Sequence, residues 1–160
     1  MSGRARCDVS EESMLRVALV SPVFPPEPVV SGKTTHDIAL ALAARGDDVT
    51  VLTAFPSRPA GRLYPGWSRR LYSRKILDAH QRIVRCFSLL SPRSRLGSRL
   101  ADNISFGITR SLALLARPRP DVIYANTWPI FAAGMIALVA RLRRIPLVIS
   151  IQDIYPESLL

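Results

Sequence analysis

Residues 146–158 read PLVISIQDIYPES and decide the fold that this chain can adopt. An apolar run of strand length ends in Gln152 and Asp153, and a proline-bearing turn then leads to a helix start near Glu157. Continuous Val, Ile and Leu runs are typical of buried strands in parallel sheets, which carry their chemistry just beyond the strands' carboxyl ends. We therefore interpret this stretch as the edge of a functional site, with Asp153 and Glu157 as candidate catalytic carboxylates. The alternative for Glu157 is that it only stabilises the helix amino terminus.

Four more strand-like runs precede this one and alternate with helical segments. Apolar runs predict strands at residues 16–20, 49–53, 82–87, 121–125 and 147–151, and helices at 33–45, 102–116 and 129–144. Thr34 with Asp37 indicates an amino-terminal cap for the first helix, and Gly46 indicates its end. This alternation predicts an α/β fold: a Rossmann-like, doubly wound, mainly parallel sheet formed by residues 16–160 as one domain.

Length and composition exclude several classes of protein. The 160 residues suffice for one core, and a hydrophobic content of 48% excludes disorder for most of the chain. Residues 1–15 are polar and are predicted to be a disordered tail. The longest apolar run, residues 128–140, is shorter than the ~20 residues that a membrane span needs. Two cysteines are too few for a disulfide framework, so we expect a reducing cytoplasm.

The positive charge is concentrated in the middle third of the sequence. Residues 58–119 hold fourteen Arg or Lys against two acids, whereas the whole chain has a net charge of +10. Such a segment favours a polyanionic partner: nucleic acid, an anionic membrane surface or a diphosphate-bearing substrate. The alternative is a solvated surface in a chain that prefers arginine.

Three loops should meet where the strand order of a doubly wound sheet reverses, namely residues 21–35, 126–129 and 152–157. The first of them contains Ser31, Gly32 and Lys33 at a helix start, which suits an anion. A true P-loop needs glycine where this chain has Glu27, and the neighbouring prolines remove the required flexibility. We therefore predict a generic anion site there; the alternative is an ordinary loop-to-helix turn.

A mixture of aromatic and basic residues follows the second strand. Trp67 precedes the basic residues Arg69, Arg70, Arg74 and Lys75. The mixture suits an anionic membrane interface or stacking on nucleic acid. Since no recognition-helix or single-strand-binding signature accompanies it, we predict a membrane-facing segment and no nucleic acid.

Several ordered motifs resemble family 4 glycosyltransferases, and in particular the bacterial branch that builds exopolysaccharide, O-antigen and colanic-acid-like repeat units. The segment 21–28 (SPVFPPEP) is similar to the Phe/Tyr-x-Pro-Glu loop of that family, and SGKTT at 31–35 to its Gly-Lys-Tyr-Thr helix start. Residues 44–53 (ARGDDVTVLT) resemble its Arg-Gly-His-Glu-Val-x-Val-Leu-Thr pattern. AFPS at 54–57, YPGW at 64–67 and IQDIYPES at 151–158 complete a likeness that runs from about residue 16 to 160.

The resemblance implies a B-type glycosyltransferase with two Rossmann-like domains and a cleft between them. This chain would be the amino-terminal, acceptor-binding domain, and we expect the carboxyl-terminal, donor-binding domain to be absent. The implied reaction moves a sugar from a nucleotide-sugar to an acceptor hydroxyl with retained configuration, without a metal and with no cofactor beyond the donor. In this branch the acceptor is often a polyprenyl-diphosphate-linked saccharide.

Site residues carried over by position fall in the three loops. The loop around Gly32 and Lys33 would approach the diphosphate or acceptor, and Gln152 and Asp153 would line the reacting centre. The family often has histidine where Gln152 stands and a glycine pair where Val29 and Val30 stand. The predicted catalytic residues are Asp153 and Glu157, and the predicted substrate-binding residues are Glu27, Ser31, Gly32, Lys33, Asn126 and Gln152.

We expect the chain to be inactive alone, because transfer needs donor and acceptor held together by two domains. The expected location is the cytoplasm, with peripheral attachment to the inner face of the membrane. Two alternatives remain open at this point: a P-loop-like nucleotide hydrolase, and a non-catalytic module that binds a partner or a membrane surface.

Overall fold

The structure, a computed structural model, describes residues 13–90 and 96–151, and the predicted site residues Gln152, Asp153 and Glu157 lie outside the described residues. Five strands form the parallel part of the sheet: β1 (Arg16–Val20), β2 (Asp48–Ala54), β4 (Gln81–Cys86), β5 (Val122–Asn126) and β6 (Leu147–Ser150). The remaining strand, β3 (Tyr72–Ile76), pairs antiparallel with β4 at the edge. The helices are α1 (Val30–Ala44), α2 (Leu96–Leu115) and α3 (Ile130–Leu142).

The strand order β3-β4-β2-β1-β5-β6 confirms the predicted Rossmann-like α/β fold. The chain moves outward from β1 through β2 to β4, and then returns to the other side of β1 with β5 and β6. The order therefore reverses between β1 and β5, where Val20 lies beside Ala125. Doubly wound sheets bind their ligands at such a reversal, outside the carboxyl ends of the strands.

Two apolar layers flank the sheet because its strands are buried on both sides. On one face Ala18, Leu52 and Val84 pack with side chains of α2 and α3. On the other face Val17, Leu19 and Val51 pack with Ala39 of α1. Burial on both faces explains why these strands read as continuous apolar runs.

The prediction of five strands was wrong by one, because β3 was not anticipated. Its sequence, YSRKI, is mostly exposed, so it lacks the apolar alternation that indicates a strand. It forms because the exposed edge of β4 offers unpaired backbone groups, and Tyr72 to Ile76 pair with Cys86 to Arg82 in antiparallel register.

Helix boundaries also differ from prediction. The first helix begins at Val30 rather than Lys33, and the predicted Thr34 cap is wrong: the cap position is Val29, which has no side-chain hydrogen bond. Thr34 instead donates its hydroxyl to the Val30 carbonyl from inside the first turn. The predicted end is confirmed, since Gly46 has φ +93° just beyond the helix. The second helix begins at Leu96 rather than 102.

Candidate functional site

Five segments border one cavity at the carboxyl ends of the parallel strands. Its volume is about 730 Å³, and its walls come from the loop after β1, the first turn of α1, the loop after β2, the loop after β5 and the end of β6. The lining residues are Pro22, Val23, Val29, Val30, Ser31, Thr34, Arg58, Asn126, Thr127, Trp128, Ile130 and Ser150. The expected meeting of the loops after β1 and β5 is thus confirmed, and the chain reaches the same cavity as β6 ends.

Asn126 is the most deeply placed polar group in this cavity. Its side-chain Nδ2 donates to Ser21 Oγ at 3.0 Å, and the Ser21 hydroxyl donates to the Val23 carbonyl at 2.8 Å. Since the single Ser21 proton is used there, Ser21 can only accept from Asn126, which fixes the orientation of the amide. Asn126 Oδ1 is then buried without a partner among the residues that the structure describes. A buried acceptor without a partner is costly, and a ligand hydroxyl that reached this wall would satisfy it.

The first turn of α1 supplies backbone donors beside Asn126. The amides of Gly32 and Lys33 both donate to the Val29 carbonyl, at 3.0 and 3.1 Å. The amides of Val30 and Ser31 have no acceptor within the described part of the chain, and both residues line the cavity. Free amides at a helix amino terminus attract negative charge.

Glu27 lies behind the cavity wall and joins two loops. Its side chain is buried, with a residue exposure of 4%. One carboxylate oxygen accepts from the amides of Ser57 at 2.9 Å and Arg58 at 2.8 Å, and the other from the amide of Phe24 at 3.4 Å. The carboxylate therefore holds the loop after β2 against the loop after β1, and this brings Arg58 to the cavity.

Arg85 also joins the loop after β1 to the end of β2. It is buried, and its guanidinium donates to the carbonyls of Ala54 at 2.8 Å and Pro25 at 2.5 Å. Trp67 covers it, with the ring centre 4.7 Å from the guanidinium carbon. Burial lowers the pKa of Arg85 to about 10, and the charge of Glu27 opposes that change. Arg85 therefore stays charged at neutral pH.

Backbone and side-chain bonds tie the end of β6 to the loop after β5. Both the amide and the hydroxyl of Thr127 donate to the Ser150 carbonyl, at 3.0 and 2.8 Å. The chain after Ser150 thus starts from the rim of the cavity.

The structure brings together only some of the predicted site residues. Ser31 and Asn126 line the cavity, whereas Glu27 supports it from behind. Gly32 is buried against the loop after β1, where an added Cβ would lie 3.4 Å from the backbone of Val23 and Phe24. The absence of a side chain at Gly32 therefore allows the loop after β1, rather than a ligand, to approach α1 closely. Lys33 is exposed on α1 and does not line the cavity.

Sequence reasoning missed four lining residues: Arg58, Thr127, Trp128 and Ser150. The position of Arg58 had a usable signal, because β2 lies beside β1 and its carboxyl-terminal loop belongs to the same edge. The P-loop alternative gains no support. The position that would need glycine holds the buried Glu27 carboxylate, and the Gly32 and Lys33 amides are already engaged.

The basic middle third does not form one surface. Arg69 and Arg70 are exposed in the loop before β3, but Arg74 and Lys75 are neighbours in a strand and therefore point to opposite faces of the sheet. These four residues therefore do not share one surface, because only Arg69 and Arg70 lie together in the exposed loop before β3. Arg110 is fully buried and donates to the carbonyls of Cys86 and Phe87. Burial lowers its pKa to about 9.

Residues 13–90 and 96–151 contain neither a candidate membrane span nor a candidate metal site. None of the three helices combines the length and hydrophobicity needed to cross a bilayer. In the same residues, no three His, Cys, Asp or Glu side chains are grouped so that they could hold a metal ion.

Comparison with solved structures places this fold among known ones. The chain is similar to the catalytic domain of starch synthase IV from Arabidopsis thaliana, solved with ADP and acarbose, with a TM-score of 0.58 at 15% identity over 86% of this chain and 33% of that one. It is also similar to the carboxyl-terminal domain of a hydrogenase from Pyrococcus furiosus, with a TM-score of 0.52 at 14% identity, covering 86% of this chain and 92% of that domain. At such identities the likeness concerns the fold alone.

Sequence comparison is more specific. The chain is 29% identical over 139 residues to WcaI of Escherichia coli (strain K12), a protein named as a colanic acid biosynthesis glycosyl transferase. The match covers 86% of this chain and 34% of WcaI, so the chain spans about a third of the length of that relative. The model of the glycosyl transferase 4-like domain matches residues 31–159, which is most of the chain. This chain therefore belongs to the glycosyl transferase 4-like domain family.

Proposed function

We propose that this chain supplies the acceptor-binding domain of a retaining glycosyltransferase that moves a sugar from a nucleotide-sugar to a hydroxyl of a saccharide acceptor. Family membership supports the reaction class. The observation that carries the proposal is the cavity at the strand-order reversal, where the buried acceptor Asn126 Oδ1 lies in the same wall as the free amides of α1.

The chemistry of the cavity suits a saccharide joined to a diphosphate. Hydroxyl and amide groups of Ser31, Thr127 and Asn126 can exchange hydrogen bonds with sugar hydroxyls, and the Trp128 ring offers an apolar face. Arg58 and the α1 amides supply positive charge for phosphate oxygens. We therefore assign to this cavity a polyprenyl-diphosphate-linked saccharide as the acceptor.

In the proposed reaction the acceptor hydroxyl attacks the anomeric carbon of the donor sugar on the same face from which the phosphate leaves, which retains the configuration. The bond between that carbon and the donor phosphate oxygen breaks, and the nucleoside diphosphate leaves with the electron pair. The hydroxyl proton passes to a base or to the departing phosphate. Asp153 and Glu157 follow the rim at Ser150 and remain the proposed acid/base or orienting groups, while a second domain outside these residues would bind the donor.

A lipid-linked acceptor would be met at the cytoplasmic face of the membrane. The loop containing Arg69 and Arg70 supports this location, because β3 runs antiparallel to β4 and its first residue, Tyr72, lies beside Cys86 at the carboxyl end of β4. These exposed arginines therefore lie at the same edge of the sheet as the cavity. We propose that they face anionic headgroups while the acceptor is bound.

Titration with a farnesyl-diphosphate-linked monosaccharide, a short acceptor analogue, tests the proposal. We expect saturable binding to the chain that weakens on the order of tenfold in each of N126A and R58Q, since each removes one polar contact. D37N is the matched control, because the Asp37 carboxylate is exposed on α1 away from the cavity. Absence of binding, or equal weakening in D37N, would overturn the assignment of the cavity.

A second experiment separates an enzyme from a binding module. The chain is joined to the part of WcaI that the match leaves uncovered, which we propose to bind the donor, and is incubated with nucleotide-sugars and the analogue. Sugar transfer that disappears in N126A supports the proposal. Transfer that N126A leaves unchanged contradicts it.

A further inference from the structure

A second cavity lies at the other end of the sheet, at the amino ends of the parallel strands. Its volume is about 360 Å³, and it is enclosed by β1, β2, β3, β4 and the segment that follows α2. It shares no lining residue with the first cavity. The lining residues are Arg16, Val17, Ala18, Asp48, Thr50, Leu52, Arg74, Arg82, Leu114, Arg117, Pro118 and Pro120.

Four arginines line this cavity, and two of them have a counter-ion. Arg16 pairs with Asp121 at 3.3 Å. Arg82 meets Asp48 through two contacts, at 2.9 and 3.1 Å. The side chains of Arg74 and Arg117 have no ion-pair partner among the described residues. The cavity therefore carries an excess of two positive charges within the described part of the chain.

Arg117 is held among like charges. Its guanidinium donates to the Ala113 carbonyl at 3.0 Å, which keeps it over the cavity. Burial is the main reason why the pKa of Arg117 is lowered, and the positive charges of Arg74 and Arg82 also lower it. Cys86 and Tyr72 raise the pKa of Arg117 and so oppose this change. Positive groups that repel one another without a counter-ion favour an anion between them.

The negative end of the α2 dipole does not oppose an anion here. Two of the last carbonyls of α2 are bound by arginines: Ala113 accepts from Arg117, and Leu114 accepts from Arg143 at 2.6 Å, so positive charge offsets the negative end of the dipole. Guanidinium groups bind phosphate oxygens through pairs of N–H donors held in a fixed geometry. The volume of the cavity is at the lower end of the range for ligand-binding sites, which suits a small anion. We propose that this second cavity binds a phosphate or diphosphate group through Arg74 and Arg117.

Two sources could present that group, a soluble phosphorylated molecule or a lipid headgroup. Titration calorimetry with inorganic pyrophosphate tests the first source. Sedimentation with phosphatidylcholine vesicles, with and without phosphatidylglycerol, tests the second. The variants are R74Q/R117Q and, as a control that removes the same charge outside both cavities, R62Q/R141Q, whose two arginines are exposed.

In the R58Q background, which weakens the diphosphate contact proposed for the first cavity, we expect R62Q/R141Q to bind one pyrophosphate as the R58Q chain does. R74Q/R117Q should bind it at least about a hundredfold more weakly, from roughly tenfold per lost charged contact. Without pyrophosphate, R74Q/R117Q should melt no lower than wild type, because two repelling charges have been removed. Loss of vesicle binding in R74Q/R117Q alone, without pyrophosphate binding, supports the same site with a headgroup as its ligand. Equal loss in both double variants, or binding in neither assay, overturns the proposal.

Discussion

Replacement of Glu27 by alanine tests whether one buried carboxylate holds the wall of the first cavity. The side chain is buried and accepts three backbone amides from two loops. The substitution removes the acceptor of the Ser57 and Arg58 amides, which are the two short contacts. It also removes the charge that faces buried Arg85. We expect a large loss of stability together with release of the loop after β2.

The magnitude follows from those two contacts. A buried amide left without an acceptor costs about 1–3 kcal/mol, so two of them cost about 2–6 kcal/mol. Removal of a buried charge returns part of this, which leaves an expected loss of about 2–4 kcal/mol. A domain is stable by only about 5–15 kcal/mol, so E27A should unfold at clearly lower urea concentrations. In E27Q the remaining oxygen still accepts both amides, so we expect a smaller loss of about 1–2 kcal/mol.

Urea unfolding at pH 7 measures these differences, with far-UV circular dichroism as one probe and fluorescence of Trp67 and Trp128 as the other. D37A is the control, since it removes an exposed carboxylate from α1. If E27A loses less than about 1 kcal/mol more than D37A, the buried amides do not depend on Glu27 and the reasoning is wrong.

Three further substitutions test the backbone and one ion pair. Gly46 has φ +93° and nothing within 4 Å of an added Cβ, so G46A should lower the unfolding free energy by about 1 kcal/mol through backbone strain alone. Gly134 lies in open space within α3, so G134A should raise the unfolding free energy by about as much. Equal effects of the two substitutions in thermal unfolding would contradict this. The backbone amide and the guanidinium of Arg16 hold the pKa of Asp121 below its usual range. The contribution of Asp121 to the unfolding free energy is therefore present above about pH 4 and is lost as pH falls through the lowered pKa. The melting temperature of D121N should lie below that of wild type at pH 7 and approach it in acid, and a difference that stays constant with pH would count against the ion pair.

The fold was predictable wherever burial on both faces leaves a continuous apolar run. The strands β1, β2 and β5 were predicted to within one or two residues for that reason. β6 was also predicted from its apolar run, but its Val148 and Ile149 are exposed, so the expectation that it is a buried strand was wrong. β3 escaped prediction because an edge strand needs only backbone partners, so a sequence such as YSRKI can form it. The start of α1 at Val30 escaped because no side chain caps it, and the loop-like residues before Lys33 gave no boundary.

The candidate site was predictable as far as the topology alone determines it. Ser31 and Asn126 follow from the strand-order reversal, which depends only on the sequence of elements. Arg58 reaches the cavity through a contact with Glu27 thirty-one positions away, and no local pattern reveals such a contact. No local pattern predicts the position of Arg74 in the second cavity either, because that position depends on strand β3, which was not predicted.

The two proposed sites should act independently, because the sheet separates them. β1 has five residues, which at about 3.3 Å per residue places its ends roughly 16 Å apart. This exceeds the screening length of about 8 Å at physiological ionic strength, so the charges of one cavity are weakly felt at the other. R74Q/R117Q should therefore change the affinity for the acceptor analogue by less than about twofold, whereas allosteric sites typically differ by fivefold or more. A fivefold change in the same titration would contradict independence, since the sheet would then have to adopt two arrangements that the ligands distinguish.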